Sequence, residues 1–179
     1  TSFADAVHVY LKQMRGHFSP VIAADLSLAP MGSLSVEQSC VPVDPFKLSS
    51  SEAAQVGCGL ASADAVWLGY YNEPRLIYSA PAFYKGPWKA SDRRTVHLGI
   101  DVFAPQGTDI SAPMTGRIHV VENRTASLDY GGIIILLHEI PDGACFYTLY
   151  GHLDPSVCEA VVIGQIIQAG EVFCRLGGA

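Results

Sequence analysis

Gly132–Leu153, GIIILLHEIPDGACFYTLYGHL, is the stretch that decides the architecture. From Gly132 to Leu137 it is apolar and rich in isoleucine, far too short to span a membrane. It reads as a strand buried in a sheet. Pro141-Asp142-Gly143 has the chemistry of a tight turn. Beyond it, Phe146, Thr148 and Tyr150 alternate with Tyr147 and Leu149, the period of a strand with two unlike faces. Two strands joined by a turn predict an antiparallel hairpin over 132–140 and 145–150. His152 follows where the second strand gives way to a loop, a position from which a side chain can serve a site.

Working outward, the same pattern continues. Toward the C-terminus, Gly164 and Gly170 bracket a short apolar piece, as in tight β-hairpins, and a further strand is expected at 171–176. Toward the N-terminus, strands are expected at 98–103, 108–112 and 117–123, with Pro113 to Gly116 as punctuation. Ala65–Tyr71 and Arg75–Ala80 flank Asn72-Glu73-Pro74 and predict another hairpin. No long helix interrupts this run. The fold class is therefore mainly β, an antiparallel sheet of barrel- or sandwich-like form. An α-containing extension precedes it. Over residues 2–15, Phe3, Val7, Tyr10, Leu11 and Met14 share one helical face. Ser2 with Asp5 resembles a capping box, and Gly16 can end the helix. Residues 17–50 read as loop, and 51–63 as a short helix weakened by Gly57 and Gly59. The division into domains is placed at 1–76 and 77–179.

Composition narrows the function classes. Of 179 residues, 49% are apolar and 16% charged, enough to bury a core and too few charges for a disordered chain. The net charge of −6 without a basic run argues against nucleic acid as a partner. No membrane span or export leader is visible, which favours a cytoplasmic location. Cys40, Cys58, Cys145, Cys158 and Cys174 form no CxxC pair, so a structural zinc knuckle is not expected and reduced thiols are.

Chemistry concentrates at His97-Leu98-Gly99-Ile100-Asp101. Imidazole and carboxylate are both zinc ligands. In an extended strand their Cα atoms would stand roughly 13 Å apart, too far for two side chains sharing one ion. The backbone must bend, and Gly99 can permit it. His152 offers a general base or an oxyanion partner. His138 and His119 read as structural and solvent-facing respectively, and His8 and His17 as surface.

Taken in order, these segments resemble the lysostaphin-type (LytM-like) zinc metallopeptidases. His97–Asp101 is similar to that family's HxGxD element. Ala104–Thr108 and Ala112–Gly116 are similar to its "AP-GT…A--G" hairpin, Leu149–Leu153 to its "Y-HL" element, and Gly164–Gly170 to its closing hairpins. The resemblance runs from about Tyr78 to Ala179. It implies that His97 and Asp101 bind zinc and that His152 is a catalytic histidine. It also implies hydrolysis of a peptide or peptidoglycan-like substrate. The family's HxH element, which supplies the last zinc ligand, has no counterpart before Ala179. The chain is accordingly expected to be a fragment that holds zinc weakly or not at all and is inactive alone. Tyr70–Tyr78, Arg94–Phe103 and Asp129-Tyr130-Gly131 resemble the middle module of a larger polypeptide, between a kinase-like phosphotransferase domain and a class III aminotransferase domain. In that setting a non-catalytic, ligand-binding or scaffolding role is the alternative. A biotin- or lipoyl-carrier module is disfavoured because no lysine lies between Arg94 and Ala179.

Overall fold

A computed structural model describes residues 2–29, 31–32, 66–74, 96–125 and 129–178. Its elements in chain order are α1 (Phe3–Gln13), β1 (Met31–Gly32), β2 (Trp67–Gly69), β3 (Glu73–Pro74), β4 (Val96–His97) and β5 (Val102–Phe103). They continue with β6 (Asp109–Ser111), β7 (Gly116–Arg124), β8 (Gly131–Glu139), β9 (Cys145–Leu153), α2 (Val157–Ala160), β10 (Ile166–Ile167) and β11 (Val172–Arg175). Contacts divide the chain into two compact units, Thr1–Ala24 with Gln106–Gly178, and Asp25–Pro105 with Ala179. The fold is mainly β with antiparallel sheets and an N-terminal helix, as expected.

In the first unit the sheet runs β10-β7-β8-β9, all antiparallel, with β6 and β11 forming a separate antiparallel pair. The apolar run read from the sequence becomes β8, and the pleat divides it between two faces. On β8, Ile134, Leu136 and His138 are fully buried, while Ile135 and Leu137 on the other face are half-buried. Ile118 of β7 and Ile167 of β10 complete the inner layer. Each such aliphatic side chain, fully buried, contributes about 1.5–3 kcal/mol. On β9, Phe146, Thr148 and Tyr150 are half-buried and Tyr147 and Leu149 exposed, following the predicted period.

The N-terminus belongs to this unit. Ser2 caps α1 through the reciprocal box with Asp5. Val7, Tyr10, Leu11 and Met14 are half-buried, but Phe3, expected on the same face, is 77% exposed because it lies in the first turn. The following segment is tied to the sheet by Ser19 N–H to Pro113 O at 2.9 Å and Ser111 N–H to Val21 O at 2.7 Å.

In the second unit β2 has a partner on each edge, parallel β1 and antiparallel β5, and β3 pairs with β4. Trp67 is fully buried, its ring stacked on Phe103 at 3.7 Å. The second arm of the expected hairpin at 75–80, the expected helix at 51–63 and the 76/77 boundary lie outside the described residues. Of the strand expected at 98–103 only β5 (Val102–Phe103) forms, and residues 98–101 make a bend between it and β4.

Candidate functional site

That bend brings His97 and Asp101 together. His97 closes β4, paired with Glu73, and its Nε2 lies 3.6 Å from Asp101 Oδ1. The separation defeats an extended strand, and Gly99 is what makes it possible. The reason differs from the expected one: Gly99 does not adopt a left-handed φ. What it contributes is space. A Cβ there would lie 2.9 Å from His97 Cε1 and 3.0 Å from Nε2, so the imidazole occupies the volume a side chain would take. Asp101 is fixed from behind, since Gly69 N–H donates to Asp101 O at 2.8 Å. Leu98 and Ile100, on the alternating apolar face, are 67% and 62% exposed and build no core.

The pair is 22% and 34% exposed at the side chains, open enough for an ion. Two ligand atoms each about 2.0–2.2 Å from a tetrahedral zinc stand roughly 3.4 Å apart, close to the observed 3.6 Å. His97 Nδ1 is buried with no hydrogen-bond partner, where metal-bound imidazoles ordinarily donate their second nitrogen. The two donors fit a zinc ion in chemistry and spacing. Among the described residues no third His, Cys, Asp or Glu joins them as a metal-holding group.

His152 belongs to the other compact unit. It is the penultimate residue of β9, one short of the strand's end at Leu153, close to where its sequence context placed it. It lies at a bulge. Gly132 faces Leu153 and Ile134 faces Tyr150, so Gly151 and His152 together oppose Ile133 alone. An extra residue of this kind re-aims a side chain. His152 has φ +55°, a left-handed conformation costing a non-glycine residue about 1–3 kcal/mol. The neighbours hold it there. His152 N–H donates to Tyr130 O at 2.7 Å, and Gly177 N–H donates to His152 O at 2.8 Å. Leu153 bridges Leu176 immediately beyond.

His138 has the structural role expected of it. It is fully buried, with Nδ1 2.9 Å from Thr115 O and Nε2 2.8 Å from Thr148 Oγ1. A carbonyl only accepts, so Nδ1 carries the proton and, in the neutral ring, Nε2 accepts from the Thr148 hydroxyl. Burial lowers its pKa, against a smaller opposing effect of the Thr115 carbonyl. This network was not legible in advance, because Thr115, His138 and Thr148 come from three separate segments. His119 is exposed, with its ring 5.0 Å from that of Tyr147. His8 and His17 are exposed. Cys145, Cys158 and Cys174 are free thiols, and burial pushes Cys174 up to about 12. No helix among the described residues is long and apolar enough to cross a membrane.

His97, Asp101 and His152 fall within one recognisable stretch. Residues 95–179 match the model of peptidase family M23. This M23-like stretch covers just under half of the chain. No curated protein and no solved structure matches the chain.

Proposed function

We propose that the M23 region is a zinc-dependent hydrolase of peptide or amide bonds. His97 and Asp101 hold the ion, and His152 serves as a catalytic histidine. The observation that carries this reading is the 3.6 Å approach of His97 to Asp101 across the side-chain-free Gly99. When bound, zinc supplies a water whose pKa is lowered toward about 7 and a Lewis acid for the carbonyl. His97 presents Nε2 and Asp101 presents Oδ1 toward their shared space, and Gly69 keeps the Asp101 backbone from drifting. His152 contributes an imidazole able to take or give a proton. A third protein ligand is taken from outside the described residues. The substrate class is a glycine-rich or peptidoglycan-type peptide, and the setting a cytoplasmic multidomain polypeptide with kinase-like and aminotransferase neighbours.

Metal analysis after dialysis tests this. The protein with its third ligand in place is expected to retain close to one equivalent of zinc. His97→Ala abolishes that equivalent. Equal, negligible zinc in the parent and in His97→Ala would sink the reading. The two-ligand grouping also favours a second reading, a non-catalytic binding or scaffolding module, because about three protein ligands are usual at catalytic zinc. Zinc-dependent cleavage of a glycine-rich peptide that vanishes in His152→Ala rules that out.

A further inference from the structure

The strained conformation of His152 needs more than a bulge to hold it, and most of what holds it is one residue. Tyr130 lies in the turn before β8, where its own N–H donates to Asp129 Oδ1 at 2.9 Å. It reaches the bulge at three points. Its carbonyl accepts the His152 N–H at 2.7 Å. Its ring lies over Gly151, where a Cβ would come within 2.7 Å of Tyr130 Cδ1. The same ring stands 5.6 Å from the His152 imidazole at an interplanar angle of 47°, within the range in which tilted aromatic pairs attract. Tyr130 is itself 44% exposed. A ring that exposed contributes little to the core, so packing alone does not explain the space Gly151 leaves for it.

We infer that Tyr130 is the positioning residue for His152. Its carbonyl fixes the backbone of the bulge, and its ring limits the imidazole to one of its staggered orientations. Gly151 is part of the same device, since only glycine leaves room for the ring. The consequence for catalysis rests on the hydrolase reading above. The geometry does not. Tyr130 does not need to touch substrate, and its hydroxyl has no part in the arrangement.

The test uses the full-length polypeptide, with a glycine-rich peptide as the probe for hydrolysis and NMR of the imidazole signals as an independent readout. Tyr130→Leu keeps the carbonyl and removes the ring. It is expected to lower kcat about tenfold with KM unchanged, since a misplaced group costs rate and not binding. It should also shift the His152 ring signals, which the tyrosine ring current displaces. Tyr130→Phe keeps the ring and should recover both kcat and the signals. Gly151→Ala displaces the ring without removing it and should reproduce the Tyr130→Leu phenotype. An unchanged kcat and unmoved His152 signals in Tyr130→Leu would overturn the proposal. So would a raised KM in Tyr130→Phe, which would mean the hydroxyl binds substrate. If the parent shows no His152-dependent hydrolysis, the hydrolase reading fails, and the NMR comparison alone decides the positioning role.

Discussion

The central sheet has two bulges, and each one extrudes a histidine beside a tyrosine ring. On β7 the register steps from Ile118–Leu136 to Val120–Ile135, leaving His119 unmatched, 5.0 Å from the Tyr147 ring. On β9 the extra residue places His152 5.6 Å from the Tyr130 ring. Described only as a bulged histidine on an aromatic partner, the two are alike. They differ in what constrains them. His119 is exposed and takes an ordinary φ. His152 is half-buried and left-handed, with its N–H and C=O both bonded to fixed neighbours. A bulge is therefore not a site by itself. A strained residue held from both sides is the better sign, because strain persists only where the surroundings over-determine it.

The largest test of this contrast is activity. His152→Ala is expected to lower hydrolysis of a glycine-rich peptide by about 10²–10⁴-fold, and His119→Ala to leave it within about twofold. Comparable losses in both would erase the distinction. Next comes the strand between the two bulges, where β8 carries the third histidine of the sheet. Burial holds the folded-state pKa of His138 below the ordinary 6.5, so the unfolded chain binds the proton more readily. The stability His138 contributes is full above about pH 6.5 and is lost as pH falls through its lowered folded-state value. Urea denaturation across this range should show the decline, and His138→Leu should flatten it. The same substitution should cost about 1–3 kcal/mol by removing the ring's hydrogen bonds to the Thr115 carbonyl and the Thr148 hydroxyl. The smallest effect is a reversal of sign between the bulges. At position 152, glycine should be more stable than alanine by about 1 kcal/mol, because it relieves the left-handed strain. At position 119, alanine should be more stable than glycine by about 0.5–1 kcal/mol. Matched urea midpoints of the four variants decide it.

These differences also mark what could be read beforehand. The capping box at Ser2 and Asp5, the turn at Pro141–Gly143, the apolar run of β8 and the alternation along β9 are local signals, and the elements they predict are present. The bulges were not legible, because a one-residue register step depends on the partner strand and leaves no mark on either sequence alone. The bend at His97 was legible as a necessity, and Gly99 was rightly singled out. Its role as empty volume, and not as a hinge, required the ring position. His138 shows the limit most plainly: its two acceptor and donor partners lie 23 and 10 residues away.

The tie between Ser19 and Pro113 joins residues more than ninety positions apart, which bears on the order in which the protein is made. At synthesis rates of about 5–20 residues per second, the segment after α1 emerges roughly 5–20 s before its partner strand exists. During that interval Val21 and Ile22 have no sheet to join. Closing so long a loop is entropically slow to reward. Docking of the N-terminal segment is thus expected among the late events of folding, after the β7-β8-β9 meander, whose neighbouring strands meet through short connections.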